Sequence, residues 1–283
     1  MRLITSPWIE NFESFANSIN EGAFLVSPFM SREPIQRLSS MIRGRGLLPQ
    51  VEILTSLTVE NLLQGITDAA AISSFCREIT KTTVRHLPRL HAKVYIADNK
   101  LAIITSANLT GAGLSQNFEY GIEITNTDLI TKIVDDVKAY GALGTMISIS
   151  ELDQLAEISH DLREQQARVL NSATQKLRQE FEKRLADTRE TLMRLRARSG
   201  NSTNEIFSRT ILYLLRNGPL STEQLHPLIQ EIHPDLCDDS IDRIIEGVHF
   251  GKLWKHMVRN AQQYLKHQDS IKLERGKWHL VAK

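Results

Sequence analysis

A chain of 283 residues, 41% hydrophobic and 24% charged, is long enough for one core-forming domain of about 150 residues and a smaller one beside it. It contains no apolar run of the ~18 residues that a membrane helix requires, and Met1 to Asn11 lack the basic and then apolar regions of a secretory leader; the expectation is a cytoplasmic protein without membrane segments. Cys76 and Cys237 lie far apart with no CxxC partner, which argues against a disulfide framework or a cysteine zinc site and leaves buried thiols.

The formal net charge of +1 hides a regional asymmetry. Residues 1–160 carry 13 basic and 17 acidic side chains, 161–198 carry 10 and 6, and 199–283 carry 11 and 10. Within the last region, 252–283 hold 8 basic and 2 acidic residues, whereas 205–250 hold 3 and 8. Such a polarised end suits a polyanion contact, although a solvated basic face has the same composition.

In chain order, "AFLVSPF" (23–29) reads as a buried strand, "EPIQRLSSMI" as a helix with Pro34 in its first turn, and "VEILTSL" (51–57) as a second strand. A helix follows, with Thr58 as its N-cap and Leu62, Leu63 and Ile66 on one face. Four strand-like runs come next: "TVRHL", "LHAKVYIA", "LAIIT" and "FEYGIEIT". The expected fold of residues 1–150 is therefore α/β, a mixed β-sheet flanked by helices, with parallel units first and hairpins second.

Residues 151–198 are free of Gly and Pro from 152 onward, and Leu162, Val169, Ala173, Leu177, Phe181, Leu185, Leu192 and Leu195 form one helical stripe. This predicts a long helical connector, packed along the first domain or paired with a copy of itself as a coiled coil. "SGNSTN" (199–204) reads as a linker. Beyond it, "EIFSRTILYLLRNG" predicts a helix stopped at Gly218–Pro219, "STEQ" (221–224) a capping box, and 238–247 a third helix. "LWKHMVRNAQQYLKH" (253–267) predicts a fourth, before two short strands around Arg275–Gly276. Helices followed by a basic hairpin describe a small winged helix-turn-helix domain over 204–283. Its candidate nucleic-acid contacts are Lys255, Arg259 and Lys266, with Gln262 or Gln263 beside them, and Lys272, Arg275 and Lys277 on the hairpin. Trp254 and Trp278 are expected in its core.

The chemistry concentrates in "HAKVYIADNKLAIITSANLT" (91–110). Strand alternation places His91, Lys93 and Tyr95 on one face, read as an open surface, and Leu90, Ala92, Val94 and Ile96 on the core face. "DN" at 98–99 makes the turn, and "TSANLT" ends the next strand. Glu119 is the carboxylate best placed to meet His91. Lys93 can neutralise a phosphate, Ser106 and Asn108 can donate to its oxygens, and His91 can attack phosphorus or move a proton. Glu119 can hold the imidazole tautomer. Metal binding by His91, Asp98 and Glu119 is disfavoured because Lys93 would repel a cation.

"HAKVYIAD" followed by "TSAN" resembles the HxK(x)4D(x)6GSxN signature of the phospholipase D superfamily, over about residues 20–130 and most like its small single-motif nucleases. Thr105 stands where the pattern usually has Gly. The resemblance implies that His91 is the phosphohistidine nucleophile, that Lys93 and Asn108 bind phosphate with Ser106 nearby, and that Glu119 orients the histidine. It implies a structural role for Asp98, and neither cofactor nor metal. Enzymes of this family need two such motifs and this chain has one, so the resemblance implies a homodimer with one active site across its two-fold axis. The C-terminal order resembles winged-helix modules of prokaryotic restriction and defence nucleases, which implies DNA as partner and restriction or phage defence as the setting. Alternative expectations are a non-catalytic or partner-gated DNA-binding subunit working with a helicase or other ATPase, and a lipid phosphodiesterase.

Overall fold

The computed structural model describes residues 1–171, 179–188, 191, 202–245 and 248–281. The chain divides into two compact units, Met1–Leu192 and Met193–Lys283. The first contains β1 (Arg2–Thr5), α1 (Ile9–Ser18), β2 (Gly22–Val26), α2 (Arg32–Gly44), β3 (Gln50–Thr55), α3 (Val59–Leu63), α4 (Ala69–Glu78), β4 (Thr82–His86), β5 (Val94–Ala97), β6 (Leu101–Thr105), α5 (Gly111–Ser115), β7 (Tyr120–Ile124), α6 (Thr127–Leu143), β8 (Thr145–Ile147) and α7 (Ile149–Asn171). Residues 179–188 are helical too and are numbered α8.

The strands form one eight-stranded sheet in the order β1-β7-β6-β5-β2-β3-β4-β8. β2, β3 and β4 run parallel, while β2–β5, β5–β6 and β6–β7 pair antiparallel. The mixed sheet expected from the sequence is therefore present, parallel units first. Helices α2 and α4 close the two crossovers, and α1, α2, α4 and α5 pack on one another on one face. Thr58 caps α3 by accepting the Asn61 N–H at 3.3 Å, as its position before the apolar run predicts.

Both faces of the central strands are covered. Tyr95 of β5 lies against Trp8 and Phe15, ring centroids 5.6 and 5.9 Å away, beneath α1. On the opposite face Ile96 pairs with Phe24, whose ring lies 5.9 Å from Nζ of Lys138 on α6. This corrects the open surface expected around Tyr95. The covering helix α1 carries Trp8, Phe12, Phe15 and Ile19 at helical spacing, a signal present in the sequence but not used to predict it. The strand is also shorter than predicted: β5 begins at Val94, so His91 and Lys93 sit in the extended segment leading into it.

The long connector is not one straight helix. Leu152, Leu155 and Leu162 are buried as α7 packs on α3 and α4 of the first unit. Ile158, Asp161 and Leu162 line a cavity together with Arg184, Asp187 and Thr188. A continuous helix would hold residues 158 and 188 about 45 Å apart at 1.5 Å per residue, so α8 lies alongside α7 rather than extending it. The remaining predicted connector and linker positions (172–178, 189–190, 192–201) lie outside the described residues, except Thr191. Ser202 belongs to the next helix as its N-cap, accepting from the Glu205 N–H at 3.2 Å.

The second unit contains α9 (Thr203–Leu215), α10 (Thr222–Ile232), β9 (Asp242–Ile245), β10 (Val248–Lys252), α11 (Leu253–His267), β11 (Ile271–Glu274) and β12 (Lys277–Leu280). The predicted capping box is formed, Ser221 and Gln224 bonding reciprocally. Phe207, Ile211, Leu225, Ile229, Val258 and both tryptophans make its core. Within the helix predicted at 238–247, Asp242–Ile245 is instead the strand β9, paired antiparallel with β10 and tied to it by the Lys252–Asp242 ion pair at 2.8 Å, while 246 and 247 lie outside the described residues. A short run such as "SIDRII" suits either period, and cross-strand pairing decides the outcome. Gln262 is 1% exposed and bonded to Thr222, so of the two glutamines only Gln263 faces solvent. Neither cysteine is in a disulfide and both are buried, as expected, and burial pushes the Cys76 thiol up to about 12. Among the described residues no helix is long and apolar enough to cross a membrane.

Candidate active site

The turn "DN" sets the site's geometry. Asp98 and Asn99 have φ of 51° and 52°, and the Lys100 N–H donates to the Ala97 carbonyl at 2.9 Å, which makes a type I′ turn between β5 and β6. The Asp98 carboxylate then reaches across to the start of β2. It accepts backbone N–H bonds from Asn20, Glu21 and Gly22 at 3.1, 2.9 and 3.0 Å. Burial acts to raise this carboxyl's pKa, but the backbone donors outweigh it and hold the group below the usual carboxylate value. Asp98 is thus a structural tie between the motif hairpin and its neighbouring strand.

At the opposite ends of β5 and β6, the predicted residues come together in two directly bonded pairs. Lys93 is 8% exposed; its Nζ donates to the His91 carbonyl at 2.9 Å and lies 3.4 and 3.5 Å from the two ring nitrogens. His91 itself is exposed. Burial lowers the Lys93 pKa, and the charge of Glu119 partly offsets that. In the second pair, Ser106 donates to a Glu119 carboxylate oxygen, and Asn117 donates to the other at 3.1 Å. Among the described residues no hydrogen bond joins Glu119 to His91, so Glu119 acts here on Ser106 and, through its field, on Lys93.

Asn108 lies two residues beyond Ser106 on the same loop. Its Oδ1 is 3.4 Å from Oγ of Ser27, a long contact, because the Ser27 hydroxyl donates to the Phe29 carbonyl at 2.7 Å. The Ser27 hydroxyl also accepts the Leu109 N–H at 3.1 Å, and the backbone N–H of Ser31 donates to the Leu109 carbonyl at 2.9 Å. The loop is thereby fastened to the segment after β2. Neither Ser27 nor Ser31 stands out in the sequence, since a serine in "VSPFMS" carries no pattern of its own.

Gly113, in the first turn of α5, is a further constraint that sequence reading missed. A Cβ there would lie 2.4 Å from the Asn108 carbonyl oxygen and 3.1 Å from its backbone nitrogen. The Gly113 carbonyl accepts the Trp8 indole N–H at 2.8 Å, which locks the helix against α1. Gly113→Ala must therefore displace Asn108. The expected outcome is a loss of about 10²-fold in turnover on a small phosphodiester, read from initial rates beside a urea unfolding midpoint that drops far less than the rate.

Chemically the cluster offers an exposed imidazole, a buried lysine ammonium beside it, and a hydroxyl held by a carboxylate. It suits binding a phosphate oxygen while a ring nitrogen approaches phosphorus. Residues 19–140 match the family described as "Cardiolipin synthase, PLD-like domain". That domain match supports phosphodiesterase activity. No curated protein matches the chain. Among solved structures, the chain is similar to NucT from Helicobacter pylori, at 19% identity over 48% of this chain and 92% of that one, TM-score 0.40. It is similar to the phospholipase D family member Nuc from Salmonella typhimurium, at 21% identity over 52% and 96%, TM-score 0.40. A further likeness is to phosphatidylserine synthase from Haemophilus influenzae Rd KW20, at 17% identity over 56% and 42%, TM-score 0.43.

Proposed function

We propose that this chain, built around a phospholipase D-like domain at residues 19–140, is a metal-independent DNA endonuclease acting through a phosphohistidine. The observation that carries the reading is the convergence of Lys93 on His91, with Glu119 acting on Lys93 and holding Ser106. In the proposed reaction a ring nitrogen of His91 attacks phosphorus and the bond to the leaving oxygen breaks. Lys93, Ser106 and Asn108 bind the non-bridging oxygens. The leaving oxygen takes a proton from a second histidine; water then attacks phosphorus, giving its proton back to that histidine, and the phosphorus–nitrogen bond breaks to free His91.

The sequence holds one His-x-Lys pair, so the second histidine is proposed to be His91 of the partner subunit in a homodimer whose two-fold axis passes through the site. DNA as the substrate is favoured by the second unit. We read it as a winged helix: α9, α10 and α11 pack on the β11–β12 hairpin, and Leu220 adds a single antiparallel bridge to Trp278. Arg275 and Gly276 make the hairpin turn at φ of 50° and 78°. Arg259, Lys266, Lys272, Arg275 and Lys277 are exposed, and Lys255 is partly so, 5.4 Å from the Trp254 ring. Lys272 is paired with Glu274 at 2.8 Å, which reduces what it offers a phosphate.

The testing experiment is cleavage of single-stranded and duplex DNA by the full chain in excess EDTA, beside phosphatidylcholine vesicles. DNA cleavage in EDTA is the expected result. Hydrolysis of the lipid alone overturns the substrate assignment, and no hydrolysis of either moves the reading to a partner-gated DNA-binding subunit. For the second unit, the double variant Arg259→Ala/Lys266→Ala is expected to weaken duplex binding and to reduce the slope of log affinity against log salt by about 2. Fluorescence anisotropy titrations between low and moderate salt read that slope.

A further inference from the structure

The peptide of Ala107 separates the two loop residues assigned to phosphate, Ser106 and Asn108, and both of its polar groups are held by side chains. The Ala107 N–H donates to Oγ1 of Thr105 at 3.2 Å, and the Tyr95 hydroxyl donates to the Ala107 carbonyl at 3.0 Å. Thr105 in turn donates to the Tyr120 carbonyl at 3.1 Å, which also accepts the Ser106 N–H at 3.0 Å. Tyr95 is 0% exposed, between Trp8, Phe15 and the loop, and burial raises its pKa so that it remains a donor. Room for Thr105 comes from Gly121, its cross-strand partner. A Cβ at 121 would lie 2.8 Å from the Thr105 Cβ and 2.8 Å from the Ile104 carbonyl oxygen.

We infer that Thr105 and Tyr95 are positioning residues that clamp the Ala107 peptide from both sides and so aim Ser106 and Asn108 at the phosphate. The inference rests on the reading of this site as a phosphodiesterase. Thr105 occupies the position where the motif carries glycine, and the clamp gives that departure a purpose: a threonine hydroxyl replaces conformational freedom with two fixed hydrogen bonds. Phosphate oxygens are recognised by direction as well as charge, so a loop free to rotate about Ala107 loses alignment in the transition state before it loses affinity for the ground state.

The experiment uses the full chain and bis(p-nitrophenyl) phosphate, with His91→Ala as the control that reports on the site itself. Thr105→Gly and Tyr95→Phe are each expected to lower kcat about tenfold with little change in KM, and Thr105→Ser to recover most of what Thr105→Gly loses. Tyr95→Phe keeps the ring packing and Thr105 lies near the surface, so thermal melting checks that both variants fold. Wild-type kcat in Thr105→Gly and Tyr95→Phe overturns the clamp, as does Thr105→Ser behaving like Thr105→Gly. Should the wild type fail to turn over, the functional reading falls, and binding of vanadate, which takes up the five-coordinate geometry of the transition state, decides the clamp separately. Affinity about tenfold weaker in both variants than in wild type upholds it; equal affinity, or no binding to any of the proteins, overturns it.

Discussion

His91→Ala is expected to abolish phosphodiester cleavage, by a factor on the order of 10⁴ or more, because in the proposed mechanism it removes the atom that bonds to phosphorus rather than a group that assists. The loss should be in kcat, and duplex binding through the second unit should persist. Subunit mixing then tests the shared site. If His91 serves as nucleophile in one subunit and as acid in the other, a mixed dimer is dead. Equal amounts of wild type and His91→Ala, exchanged to equilibrium, then leave about half the activity per wild-type subunit. Full activity per wild-type subunit would show that each chain works alone and would sink the two-fold assignment. Cleavage that survives His91→Ala would displace the site.

The second large effect is on stability. Asp98→Ala removes an acceptor of three backbone N–H groups and puts alanine where φ is 51°. The expected cost is about 3 kcal/mol, from charge-assisted bonds lost and a left-handed residue without glycine or asparagine. Asp98→Asn tolerates the same φ and keeps one acceptor oxygen, so its cost should be about half of that. The pH dependence follows from the depressed pKa. A carboxyl whose folded pKa lies below its unfolded value of about 3.9 stabilises the protein fully above that value. This contribution is lost as pH falls through the lower, folded value. Urea midpoints of wild type and Asp98→Asn should therefore differ at pH 7 and converge as the pH falls through the folded value. A difference that persists unchanged in acid would show that the carboxylate charge is not what ties the hairpin to β2.

Much of the arrangement of the candidate site was legible in the sequence because its residues are close along the chain. His91 and Lys93 are two apart, Ser106 and Asn108 two apart, and the turn between them is written in "DN", two residues that accept positive φ. The parallel-then-antiparallel order of the sheet, the Thr58 cap and the Ser221 capping box were legible for the same reason: each depends on local spacing and on side chains that bond to nearby backbone. Only tertiary structure decided which face of β5 was covered, because α1, more than 75 residues earlier, supplies the cover for Tyr95. It likewise decided that Glu119 bonds Ser106 and not His91, that Gly113 must lack a Cβ, and that α8 lies beside α7. Periodicity reports which residues share a face, and a motif reports which chemistry is at hand. What packs on that face, and which of several nearby acceptors a hydroxyl reaches, depends on contacts between residues far apart in the chain, and no spacing rule carries that information.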